Sequence, residues 1–97
     1  MPPPKFPAAE RDLALLVDSN LTADQILNII YREPLIQKVT LFDVYTGSQV
    51  PKGKRSLAYR LLFQSNERTL IAKEVDQAIS KILAALEVES GAVRRQF

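Results

Sequence analysis

One residue separates Asp43 from Tyr45 in the stretch Phe42-Asp43-Val44-Tyr45-Thr46-Gly47. On an extended chain that spacing puts a carboxylate and a phenol ring on the same face. An ionised carboxylate only accepts hydrogen bonds, and an aromatic ring offers a flat surface for stacking. Together they suit a planar ligand, with the ring against its face and the carboxylate on an edge that carries adjacent donors. Further along, Ser56 can donate or accept, and Arg60 and Arg94 can pair with phosphate or stack. Lys52, Lys54 and Arg55 cluster just after the motif, and Arg95 follows Arg94 near the end of the chain. Each of these has an ordinary alternative. Asp43 can pair with Arg60 or Arg94 across a sheet, Tyr45 can be a strand-end aromatic, and the basic clusters can be solvated surface.

Composition narrows the chemistry. Among the 97 residues there is no histidine and no cysteine. The usual general base, the commonest metal ligand and the thiol nucleophile are therefore all absent. The lack of cysteine fits a reducing, cytoplasmic setting. With 13 basic and 11 acidic residues the net charge is +2, too small by itself to identify a nucleic-acid partner. No apolar run approaches the roughly 18–20 residues of a membrane-spanning helix, so no membrane partner is expected. The opening "MPPPKFP" has no apolar core of a signal peptide. Residues 1–4 read as a stiff proline-rich linker or boundary, and 5–97 as a single domain.

The elements that must carry these side chains follow from periodicity. Residues 11–17 alternate as a strand, with Leu13, Leu15 and Val17 on one face and Asp12, Ala14 and Leu16 on the other. Thr22 and Gln25 form a capping-box pattern for a helix over 22–33, closed before Pro34. A second strand spans 35–45. Its apolar parity breaks between Leu41 and Phe42, so a bulge is expected near Thr40–Leu41, with Phe42 and Val44 turned to the core. After a loop of about eight residues, 55–63 alternates again, with Leu57, Tyr59, Leu61 and Phe63 inward. Val75, Ile79, Ile82, Leu83 and Leu86 repeat at helical spacing to about residue 88, with Gly91 as the stop. The start of this helix lacks a good cap at Ile71, and Thr69 is the candidate. Ala92 to Arg95 read as a short last strand.

The order β-α-β-β-α-β is the split βαβ, ferredoxin-like α+β pattern: a four-stranded antiparallel sheet with two helices on one face. The other face is left open. Parity assigns to it Asp12, Ala14, Leu16, Asp43, Tyr45, Ser56, Ala58, Arg60, Ala92 and Arg94. Three alanines leave floor space for something flat. Single-stranded RNA is read in this way, by stacking and base-edge hydrogen bonds. A guanine edge, with two adjacent donors, is what a carboxylate matches best.

Several stretches carry a specific resemblance: "KFPAAERDLALLVD" (5–18), "LFDVYTG" (41–47), "GKRSLAYRLLFQ" (53–64), "ERTLIAKEVDQAISKILAALE" (67–87) and "GAVRR" (91–95). In order and spacing they resemble the ferredoxin-fold anticodon-binding domain found at the C-terminal end of the bacterial phenylalanyl-tRNA synthetase beta subunit. The resemblance implies that Tyr45 stacks the first anticodon base, a guanine, and that Asp43 binds its edge. It places Ser56 beside the base and Arg94, with Arg95 as neighbour, on the terminal strand. Lys52, Lys54, Arg55, Arg60 and Arg95 are the implied supporting or phosphate contacts. The implied partners are the anticodon stem-loop of tRNA(Phe), the rest of the beta subunit and the alpha subunit. No cofactor belongs to this domain, since ATP and magnesium are implied for the full synthetase only. "LIAKEV" departs from the family's acidic start to the second helix.

Two other readings remain. An acylphosphatase-like enzyme on this fold needs a glycine-rich loop with an arginine near the N-terminus, and no glycine precedes Gly47. A protein-docking or small-ligand regulatory domain would use the open face, with its alanines, as the contact surface.

Overall fold

The computed structural model describes residues 6–95. The proposed linker at 1–4 lies outside the described residues. The elements are β1 (Ala9–Asp18), α1 (Ala23–Ile30), β2 (Ile36–Tyr45), β3 (Lys54–Phe63), α2 (Ala72–Ser90) and β4 (Val93–Arg94). The strands form one antiparallel sheet in the order β2-β3-β1-β4. This is the α+β, ferredoxin-like βαββαβ arrangement.

The alternation of β1 and β3 decides which face is dry. Leu13, Leu15 and Val17 lie opposite Tyr59, Leu57 and Arg55, and the apolar members of both rows are buried. Ile26, Ile29 and Ile30 of α1 and Val75, Ala78, Ile79, Ile82 and Leu86 of α2 close the core. Each large side chain buried this way contributes about 1.5–3 kcal/mol, so the two central strands and the helix seams hold the fold.

α1 starts where the capping box says it should. Thr22 Oγ1 accepts from the Gln25 amide at 3.2 Å, and Gln25 Oε1 accepts from the Thr22 amide at 2.8 Å. The helix ends at Ile30, before the expected 33, because the amides of Arg32 and Glu33 switch to carbonyls three residues back. At α2 the cap position is Ile71 and not Thr69. The side chain of Glu74 reaches back to accept from the Ile71 amide at 3.3 Å, which supplies half of a capping box. Gly91 ends α2 at φ 72°, and its amide bonds Glu87 O at 3.0 Å.

Two expectations about the sheet are corrected. Phe42 and Val44 are 46% and 51% exposed, not core. The register slips between Leu41 and Asp43, so Phe42 is the extra residue of a bulge; the Arg60 guanidinium lies 4.8 Å from its ring centroid. Val44 keeps core-side parity opposite Leu57, but burial falls along β2, from Ile36 outward to Val44. The second correction concerns the last strand. Leu15 faces Arg94 and Leu16 faces Val93, so Arg94 has the parity of the core side. Ala92 is fully buried within the core. A two-residue strand has no alternation to read; only its pairing with β1 fixes its faces.

Candidate nucleic-acid interface

The register lays the open face out in rows. One row runs Tyr45, Ser56, Leu16, Val93 across the four strands. The next runs Asp43, Ala58, Ala14, and then Arg95, whose amide donates to Ala14 O at 2.8 Å. A third holds Thr40, Arg60 and Asp12. The two facing alanines form a shallow floor between Asp43 and Arg95, since neither side chain rises above its Cβ.

Tyr45, Ser56 and Arg95 make one cluster. Arg95 Nη1 donates to Ser56 Oγ at 3.3 Å, and its guanidinium lies 5.5 Å from the Tyr45 ring centroid. Ser56 is only 2% exposed although it sits on the open side; a small residue on a central strand is shaded by taller neighbours. Gly47 follows Tyr45 at the same spacing as Tyr45 follows Asp43. A Cβ on Gly47 would come closer than 3.0 Å to the Tyr45 hydroxyl, Cζ and Cε2. The ring therefore leans along the strand, its phenol end over the glycine.

Asp43 is exposed, and among the described residues its carboxylate forms no hydrogen bond or ion pair. The cross-sheet pair with Arg60 or Arg94 is not made. Arg60 turns instead to β1, with Nε 2.9 Å from Asp12 Oδ1, Nη2 3.3 Å from Asp12 Oδ2, and Nε 3.2 Å from Glu10 Oε1. The bond from Arg60 holds the Asp12 carboxyl below its ordinary value, and Asp12 raises Arg60 in return. Arg60 is thus committed to two carboxylates, which leaves Asp43 open as an acceptor.

The remaining basic residues divide. Lys52 is exposed on the β2–β3 loop. Lys54 Nζ is 2.5 Å from Asp18 Oδ1. Arg55 pairs in register with Val17 on the helix side, and its Nη2 donates to Leu21 O at 2.5 Å. Arg55 therefore stands behind the sheet, away from Asp43 and Tyr45. Arg94 lines a cleft of about 560 Å³ with Leu16, Gln49, Pro51, Leu83 and Glu87. The geometry brings together Asp43, Tyr45, Ser56 and Arg95. It does not bring Arg94 or Arg55 into that group. Sequence reasoning gave Phe42 to the core and gave Gly47 no role beyond closing the motif. The bulge was signalled by the parity break, whereas the contact with Gly47 had no signal beyond its shared spacing with Tyr45. Among the described residues no group of His, Cys, Asp and Glu is arranged to hold a metal ion.

Comparison with known proteins gives one consistent result. The family profile of the Ferredoxin-fold anticodon binding domain matches residues 4–95. The chain is 48% identical over 91 residues to the phenylalanine–tRNA ligase beta subunit of Dehalococcoides mccartyi (strain CBDB1), an alignment covering 94% of this chain and 11% of that protein. It is 45% identical over 96 residues to the same-named subunit of Geobacillus kaustophilus, covering 97% of this chain and 12% of the other. For Moorella thermoacetica the identity is 46% over 98 residues, with 98% and 12% covered. The chain spans only 11–12% of the length of these relatives.

Proposed function

From the premise that this chain belongs to the ferredoxin-fold anticodon binding domain family, we propose that it binds tRNA and reads the anticodon of tRNA(Phe) on its open sheet face. It does so as a non-catalytic module of a cytoplasmic phenylalanine–tRNA ligase beta subunit, whose remaining parts and alpha subunit are its protein partners. The observation that carries the reading is the unpartnered Asp43 carboxylate in the row beside Tyr45 and Ser56, above a floor of two alanines. Tyr45 stacks the first anticodon base. Asp43 accepts from the two adjacent donors of a guanine edge, and adenine lacks that donor pair. Ser56 and Arg95 border the base on the far side. Stacking on such a ring is worth about 1–3 kcal/mol per base.

The test is a two-dimensional NMR titration of the labelled chain with an anticodon stem-loop carrying guanine at the first anticodon position, beside one carrying adenine. Shifts at Asp43, Tyr45, Ser56 and Arg95 with the guanine loop are expected. Asp43→Ala is expected to reduce the preference for guanine by roughly tenfold, the worth of hydrogen bonds to a charged acceptor. Equal shifts with both loops would make this a general RNA binder, and an unchanged preference in the variant would remove Asp43 from base reading.

A second reading draws on Leu41, Phe42 and Val44, exposed apolar side chains on β2. They suit protein docking, and a stable self-associated species in light scattering would favour that use of the sheet.

A further inference from the structure

We infer that Gly47 is a positioning residue for the interface: its missing side chain is what allows the Tyr45 ring to lie along the strand as a platform. The inference rests on the reading of Tyr45 as the stacking surface. The hydroxyl oxygen and two ring carbons of Tyr45 occupy the space that a Cβ on residue 47 would need. Any other residue there would lift the phenol end of the ring. The backbone does not demand glycine at this position, because the described glycines with positive φ are Gly53 and Gly91. Gly47 is thus a glycine whose demand comes from the neighbouring ring and not from its own torsion angles. Glycine within or next to a strand commonly marks such a close approach.

The second support for the ring's pose comes from Arg95. The Arg95 guanidinium is 5.5 Å from the ring centroid and is itself bonded to Ser56 Oγ at 3.3 Å. The ring therefore meets a glycine at its phenol end and an arginine, tied to β3, over its plane. Asp43 is fixed by the strand, so the distance from its carboxylate to the base plane is set by where the ring rests. Tilting the ring moves the base relative to the acceptor even though neither Asp43 nor Tyr45 has changed.

The substitution that tests this is mild for the fold. The atoms in the way belong to the far end of a side chain, and no left-handed torsion is involved. Affinity is measured for two synthetic stem-loops, one with guanine at the first anticodon position and one abasic there. The guanine-to-abasic affinity ratio reports stacking and edge recognition alone, which loss of general stability does not alter. In Gly47→Ala this ratio is expected to fall by roughly five- to tenfold, the scale of one base–aromatic stack, with an unchanged circular dichroism spectrum. Tyr45→Ala is the parallel control. A collapsed ratio in Tyr45→Ala with a wild-type ratio in Gly47→Ala would overturn the role of Gly47 and leave the anticodon reading intact. A ratio near unity in the wild type would overturn the reading, and the inference with it. Should Gly47→Ala not fold, the wild-type chain decides by nuclear Overhauser contacts: cross-peaks from the Tyr45 ring to the Gly47 α-protons support the pose, and their absence rejects it.

Discussion

At the scale of single residues, Tyr59 carries a cost of its own. Its inward parity is plain in the alternation of 55–63, and the side chain is fully buried. The sequence does not reveal that its hydroxyl, like Arg55 Nε, is buried without a hydrogen-bond partner among the described residues. Burial, partly offset by Arg55, pushes the phenol up to about 12. An unfolded tyrosine titrates near 10, so the folded state holds its proton more tightly. The stability linked to Tyr59 is complete below about pH 10 and is lost as pH rises toward 12. Tyr59→Phe removes both the orphaned hydroxyl and this linkage. It is expected to match wild type or gain up to about 1 kcal/mol in urea unfolding at pH 7, and to resist alkaline unfolding better between pH 10 and 12. A loss above about 2 kcal/mol would mean that the hydroxyl is satisfied after all. Asp43 presents the converse case. Its type and spacing are legible, but whether it pairs across the sheet is decided by Arg60, which is drawn to Asp12 and Glu10 on the neighbouring strand.

At the scale of elements, what could be read from the sequence depended on how many residues voted. β1 and β3, at ten residues each, repeat their alternation often enough to fix their faces. α1 announces its start through two reciprocal side-chain bonds between residues three apart. β4 offers two residues, so Arg94 and Arg95 exchange faces relative to the simple parity count. The bulge in β2 announced itself as a conflict of parity, but its side-chain consequence, Phe42 meeting Arg60 on the open face, needed the pairing with β3. Gly91 is the junction on which β4 depends. At φ 72° it ends α2 and turns the chain back toward β1. Gly91→Ala is expected to destabilise by about 1 kcal/mol, the penalty of a side chain in the left-handed region, measured as a shift in the urea midpoint. An unchanged midpoint would mean that the turn relaxes to another conformation.

At the scale of the whole molecule, four of the thirteen basic residues are held in ion pairs among the described residues, two of them candidate RNA contacts. Arg32 pairs with Glu89, Lys54 with Asp18, Arg60 with Glu10 and Asp12, and Arg68 with Glu74. Lys52 and Arg94 form no ion pair among the described residues. With Lys54 and Arg60 engaged by carboxylates and Arg55 behind the sheet, few candidate cations face the RNA, and binding should depend only gently on salt. A log–log slope of about −1.4 to −2.1 is expected, corresponding to two or three phosphates at roughly −0.7 each for a single strand; a slope steeper than about −4 would show that the paired cations are recruited as well. The interface also joins parts of unequal firmness. Asp43, Tyr45 and Ser56 ride on ten-residue strands paired along their length. Arg95 follows a strand of two residues, anchored to β1 through Leu15, Leu16 and the carbonyl of Ala14. A segment held by so few bonds opens at a small fraction of the free energy of global unfolding. Amide protons along β4 should then exchange with solvent long before those of β3, and the arginine can leave and re-dock many times within the lifetime of a folded molecule whose aromatic side never lets go.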